Sequence, residues 1–257
     1  MTRVLAITNQ KGGVGKTTTT VNLGASLATA GKRVLLVDLD PQGNATMGSG
    51  IDKRQLTSTV YQVLLGTRAV EEVRTRSQGG NYDLIPANRE LAGAEVEMVE
   101  LASREMRLKS ALEAVRGQYD FVLIDCPPAL NLLTVNALCA ADAVMIPMQC
   151  EYYALEGLSD LVNTIKKVRA NLNPRLEIEG LLRTMFDTRN TLGQQVSDQI
   201  QQHFGDKVYR TIIPRNIRLA EAPSYGKPVL EYDRQSKGAL AYLALAGEIL
   251  ARQPRGA

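Results

Sequence analysis

Residues Val4–Thr8, apolar but for the final threonine, run straight into Asn9-Gln10-Lys11-Gly12-Gly13-Val14-Gly15-Lys16-Thr17-Thr18 and then into a helix-forming stretch, Thr17–Ala30. No other segment restricts the fold as strongly. A buried strand, a glycine-rich turn and a helix start in direct succession open a strand–helix–strand unit. Successive backbone N–H groups can turn toward one anion there, and the positive end of the helix faces the same point. The Gly-Lys-Thr that closes the loop narrows the anion to a polyphosphate. Lys16 can reach the β- and γ-phosphates, and the Thr17 hydroxyl can ligate Mg²⁺. Gly12, Gly13, Val14, Gly15 and Thr18 complete the expected phosphate-binding set. Gly31 should end the helix, because a residue without Cβ takes the left-handed C′ conformation freely.

The rest of the chain continues the alternation. Val34–Asp38, Tyr82–Ile85, Phe121–Ile124, Ala143–Met148, Ile178–Met185 and Val208–Ile213 read as further strands. Most are continuously apolar, as strands covered on both faces are. Glu95–Val115 reads as a helix, with Val96, Val99, Leu101, Met106, Leu108, Leu112 and Val115 forming its apolar stripe. The expected fold class is therefore α/β, a mostly parallel sheet with helices on both faces and right-handed crossovers. The 257 residues, 44% hydrophobic and without tryptophan, suit one such domain over 1–257. Ser77–Asn81 reads as a loop, and residues 253–257 as a disordered tail. Cys126, Cys139 and Cys150 are odd in number and irregularly spaced, so they read as buried thiols rather than a zinc site. No signal peptide precedes the first strand, and no apolar run approaches the ~20 residues of a membrane span.

Carboxylates mark the ends of two strands. The second strand ends Val37-Asp38-Leu39-Asp40, and by alternation Asp38 and Asp40 project to the same side at its carboxyl end, where open α/β sheets bind ligands. Two acids there are costly without a metal or cation. Phe121-Val122-Leu123-Ile124-Asp125 is an apolar run closed by an aspartate, a Walker B pattern whose Asp125 would contact Mg²⁺ through water. The loop departs from the usual phosphate-loop pattern at Gln10, where a glycine is expected, and it adds a second lysine, Lys11.

Lys11-Gly12-Gly13-Val14-Gly15-Lys16-Thr17-Thr18 resembles the deviant Walker A motif of the ParA/MinD group of ATPases. The resemblance extends through Asp40-Pro41-Gln42-Gly43-Asn44-Ala45-Thr46, Leu91–Glu95, Gln149–Leu158 and Pro214–Ser224, and is strongest with chromosomal ParA proteins of the Soj type. It implies that Lys11 reaches the nucleotide of a partner subunit, so that two protomers sandwich two ATP molecules. It further implies that Asp40 positions the attacking water, that Asp38 supports the switch and the Mg²⁺ environment, and that Glu151 reaches the opposite ribose. Lys11, Lys16 and Asp40 would then form the catalytic set. Pro214 and Asn216 match the family's adenine loop, with an ordinary turn as the alternative reading of that segment.

Charge points to the partner. Lys207–Lys237 holds seven basic residues against three acidic ones, whereas the whole chain carries a net +3. A basic face suits sequence-independent contact with DNA phosphates; a merely solvated face is the alternative. The resemblance places Arg189 and Arg218 at DNA-holding positions, and Arg215, Lys227, Arg234 and Lys237 join them on charge. It also implies a ParB-type centromere-binding protein that speeds hydrolysis, slow turnover without it, and a cytoplasmic, nucleoid-associated location. A MinD-like division ATPase would need a membrane-lying amphipathic C-terminal helix. The end, Tyr242–Arg252, lacks the basic face and bulky aromatics for that, so no membrane is expected. A nitrogenase-reductase-like carrier would need cluster-holding thiols that Pro127–Val135 does not supply.

Overall fold

The computed structural model describes residues 2–253. Eight strands form one sheet: β1 (Arg3–Ile7), β2 (Val34–Asp38), β3 (Thr75–Arg76), β4 (Asp83–Ile85), β5 (Phe121–Asp125), β6 (Ala143–Met148), β7 (Glu177–Phe186) and β8 (Val208–Pro214). Their spatial order is β3-β4-β2-β5-β1-β6-β7-β8, parallel throughout except for the edge pair β3–β4. All seven expected strands are present. The additional one, β3, has two residues, too few for an apolar run, and the loop at Ser77–Asn81 folds it back on β4. Of the expected tail at 253–257, residues 254–257 lie outside the described residues.

Both faces of the sheet are covered, and side-chain alternation shows how. Val4 and Ala6, Leu35 and Val37, Val122 and Ile124 enter one core, while Leu5 and Ile7, Val34 and Leu36, Phe121 and Leu123 enter the other. The second core is roofed by the helices Lys16–Thr29 and Lys237–Arg252 through Leu23, Leu27, Tyr242 and Leu245. The first lies under Arg107–Glu113, Leu132–Ala140 and Ala154–Asn171, with Leu108, Leu133 and Leu158 among its contributors. Burying each such leucine contributes about 1.5–3 kcal/mol, which fixes the strand ends and the loops they carry.

The helix expected over Glu95–Val115 is instead broken. One helix spans Leu91–Glu97, two short 3₁₀ turns follow, and a second helix spans Arg107–Glu113. Ser103 takes a left-handed φ of 52° between them. The buried Asn136 holds the break from a neighbouring helix: its Oδ1 accepts from the Leu108 amide at 3.1 Å, and its Nδ2 donates to the Arg104 carbonyl at 2.8 Å. The core side is Leu91 and Ala94 of the first helix and Met98 of the turn after it, which leaves Val96 and Val99 exposed rather than in a stripe.

Connectivity places the site. β1 lies between β5 and β6, and the chain crosses β5 to reach β2. The loops after β1, β2 and β5 therefore emerge side by side at the carboxyl ends of their strands, where open parallel sheets bind ligands.

Candidate functional site

The loop after β1 is built around backbone donors. Gly13 and Gly15 adopt left-handed φ values of 72° and 86°, which residues with a Cβ rarely accept. The helix Lys16–Thr29 begins at Gly15 with no side-chain cap, whereas Asn131, Asn190 and Ser236 cap theirs. Its free N–H groups and positive dipole end are thus available to an anion. Asn9 fixes the approach: its Oδ1 accepts from the Lys11 amide at 3.0 Å and its Nδ2 donates to Pro147 of β6 at 2.8 Å. Lys16 is buried, and its Nζ donates to the Lys11 carbonyl at 3.0 Å, which puts the ammonium inside the loop. Burial pulls the Lys16 pKa down, opposed by the charges of Asp125 and Asp40.

The carboxylates crowd beside it. Asp125 ends β5 fully buried; its Oδ1 accepts from Thr20 Oγ1 at 3.1 Å. Its Oδ2 has no hydrogen-bond partner among the described residues. Burial raises the Asp125 pKa well above the usual range, the charge of Asp38 adds to this, and the hydroxyls of Thr17 and Thr20 partly offset it. Asp38 is pushed up to about 6, also by burial, although it accepts from the Thr46 amide at 2.7 Å and from Thr46 Oγ1 at 2.6 Å. Asp40 lies at the mouth, its Oδ1 accepting from the Gln42 amide at 2.9 Å. Gly43 closes this turn at a φ of 59°, where an added Cβ would stand 2.7 Å from the Ala87 carbonyl oxygen.

Such a cluster invites a cation. A buried carboxylate oxygen with nothing to accept is unfavourable, and Asp125 Oδ2 is that atom. Among the described residues no group of His, Cys, Asp or Glu forms a metal cage by itself. That fits Mg²⁺, which takes one or two carboxylates and shares the rest of its shell with water and phosphate oxygens. Thr17 and Asp125 are the residues that fit it, with Asp38 behind them. Asp38 also holds Thr46 and the turn after β2, as the acceptor of the Thr46 amide and hydroxyl.

The remaining expected residues fall in two places. Lys11 and Glu151 meet each other: Lys11 Nζ lies 2.5 Å from Glu151 Oε2, with both side chains about half exposed. Tyr152 and Tyr153 beside them are exposed and pack edge to face at 5.0 Å. Pro214 ends β8 opposite Phe186 of β7. Asn216 uses its Oδ1 to cap the short helix Ile217–Glu221, accepting from the Leu219 amide at 3.3 Å. Arg215, Lys227, Arg234 and Lys237 are exposed. Arg189 is paired with Asp187 at 2.8 Å, and Arg218 with Glu221 at 2.9 Å and Asp233 at 3.2 Å. The Asp187 carboxyl is held at about 2, chiefly by Arg189, with a smaller pull from Arg215, so these two arginines share one surface.

Sequence reasoning missed Thr20, Thr46 and Asn9. Thr20 was within reach, since it stands one helical turn after Lys16 and faces the same strand ends. Thr46 and Asn9 carry no local signal, because their partners are set by the turn after β2 and by β6.

A phosphate loop on a central parallel strand, with an aspartate ending the strand beside it, defines a nucleotide-binding α/β domain of the phosphate-loop class. Residues 2–178 match a family described as an AAA domain. The chain is 59% identical over 251 residues to the sporulation initiation inhibitor protein Soj of Bacillus subtilis, covering 98% of this chain and 99% of that protein. It is 56% identical over 253 residues to the chromosome partitioning protein ParA of Caulobacter vibrioides, covering 98% and 95%. This chain belongs to the ParA/Soj family of chromosome-partitioning ATPases. Among solved structures, the cobyrinic acid a,c-diamide synthase of Mycobacterium smegmatis with bound ATP analog and magnesium superposes with a TM-score of 0.86 at 41% identity, covering 97% of this chain and 95% of that one.

Proposed function

We propose that this chain, acting as one domain, hydrolyses ATP with Mg²⁺ as a nucleotide-gated homodimer that holds double-stranded DNA without regard to sequence. The observation that carries the reading is the position of Lys11: a half-exposed cation on the rim of the phosphate loop, in front of a buried site that already holds Lys16. Lys11 is free to leave Glu151, because an exposed ion pair is worth about 0–1 kcal/mol. A triphosphate at the interface offers it a stronger, charge-assisted partner. Glu151, released in the same step, faces the same neighbour's nucleotide, and Tyr152 and Tyr153 lie on that surface.

Within each protomer the loop amides and Lys16 grip the phosphates, and Asp40 orients the attacking water and accepts its proton. Mg²⁺, held through Thr17 and Asp125, would neutralise the triphosphate and polarise the transferred group. Pro214 and Asn216 would line the base. A ParB-type protein that accelerates this step would turn the ATPase into a timer for release from the nucleoid, within the cytoplasm. A membrane role finds no support: the apolar side of the helix Lys237–Arg252, with Tyr242, Leu245 and Ile249, is buried against the sheet and the helix Lys16–Thr29.

The test is DNA retardation with ATP, with ADP and without nucleotide; only ATP should retard, and equal retardation in all three would overturn the gating. Arg189→Glu and Arg218→Glu address the DNA face. Each is expected to weaken DNA binding and to lower the slope of log affinity against log salt by about one, while leaving ATP-dependent dimerisation on gel filtration intact. An unchanged slope for either removes that residue from the face. Arg215, Lys227, Arg234 and Lys237 make no ion pair among the described residues, so they should carry much of the remaining attraction.

A further inference from the structure

Thr184 stands near the carboxyl end of β7, 170 residues beyond the phosphate loop, and is almost fully buried. Its Oγ1 donates to the Val14 carbonyl at 2.7 Å. No backbone N–H among the described residues donates to that carbonyl. The Val14 carbonyl and the Gly15 amide belong to one planar trans peptide, so they point in opposite directions. Fastening the oxygen to Thr184 therefore aims the Gly15 N–H away from that hydroxyl, and a phosphate-binding loop turns such amides toward its anion. If this peptide turned over, a carbonyl dipole would face the phosphates in place of an N–H. Gly15 makes such a turn easy, since its φ of 86° lies in a region glycine crosses freely.

The next residue supports a built device. Met185 has a left-handed φ of 49°, rare for a residue with a Cβ. Its Sδ accepts from Gln149 Nε2 at 3.1 Å, which ties the bend to the segment after β6. Backbone outliers held by their surroundings concentrate at functional sites. Here the bend follows directly on the residue that grips the loop, and an ideal Cβ on Gly15 would lie 3.7 Å from Thr184 Cβ and Cγ2.

We propose that Thr184 is a positioning residue of the nucleotide site, its hydroxyl setting the orientation of the Val14–Gly15 peptide and hence the donor that Gly15 presents to phosphate. This rests on Lys11–Thr18 being the phosphate loop. The experiment titrates fluorescent ADP and ATP analogues against the full chain carrying Thr184→Val, Thr184→Ser or Lys16→Ala, with thermal melts taken without nucleotide. Thr184→Val keeps the shape and removes the hydroxyl; it should weaken both nucleotides about tenfold, and Thr184→Ser should stay within about threefold of the parent. Affinity within twofold of the parent for Thr184→Val would overturn the proposal, as would a Ser variant no better than the Val variant. A purely structural hydroxyl would lower the melting temperature and leave nucleotide affinity in place. Should Thr184→Val not fold, Thr184→Ala against Thr184→Ser makes the same hydroxyl comparison. Retained affinity in Lys16→Ala would instead refute the loop assignment, whatever Thr184 does.

Discussion

Lys16→Ala is expected to lower the affinity for ATP with Mg²⁺ by about a hundredfold or more. Lys16 is only 7% exposed, and its Nζ lies inside the ring of the loop, bonded to the Lys11 carbonyl. Hydrogen bonds to charged groups contribute about 1.5–3 kcal/mol each, and each 1.4 kcal/mol is about tenfold in affinity. A lysine that meets more than one phosphate oxygen thus accounts for two orders of magnitude. The substitution also leaves Asp125 and Asp40 without the cation beside them, which a polyanion needs at the same point. Burial pulls the Lys16 pKa down, and the charges of Asp125 and Asp40 oppose that effect. Isothermal titration calorimetry reads the result directly. Affinity within fivefold of the parent would mean that the buried ammonium does not meet the phosphates.

The path from sequence to site was uneven, for physical reasons. The central strands were legible because a strand covered on both faces must be apolar at successive positions, as Val34–Val37 and Phe121–Ile124 are. The loop was legible because backbone conformation is written in its residues: Gly15 and Gly31 take left-handed φ values of 86° and 78° where the loop and the helix end required them. Asp125 was legible because a carboxylate at the end of a buried apolar strand is costly unless a cation or a ligand meets it. What could not be read depends on partners far along the chain. Asn136 breaks the helix expected over Glu95–Val115 from a helix that starts at Leu132. Val96 and Val99 fitted a helical period yet lie on the exposed side. Thr184 looks like any strand threonine until β7 is placed beside the loop. Lys11 and Glu151 were each expected to reach a second subunit; their pairing within one chain depends on β1 and β6 being neighbours. Asn216 was expected in the adenine loop, and its side-chain oxygen proves to be a helix cap.

Asp40→Ala should lower ATP turnover by about 10²–10⁴-fold, the contribution of a positioned general base, with ATP affinity changed by less than about tenfold. The separation of effects follows from placement. Lys16 and the loop amides belong to β1 and the helix after it, whereas Asp40 hangs from the turn after β2 and meets that machinery only at the mouth. Deleting its carboxylate removes a proton acceptor and one hydrogen bond, to the Gln42 amide, and leaves Asp38 and Thr46 to hold the turn. Asp40→Asn checks that the loss is chemical, since a carboxamide oxygen can keep the Gln42 bond but cannot take the proton. Phosphate release gives the rate, and a variant within threefold of the parent would exclude Asp40 as the base. The same substitution should lengthen the ATP state, so gel filtration with ATP should show a persistent dimer. Adding Lys11→Ala to Asp40→Ala should return that dimer to monomer, because the bound triphosphate then has no cation from the neighbouring subunit. A double variant that stays dimeric would place the dimer contact elsewhere and leave Lys11 with no part beyond its pairing to Glu151.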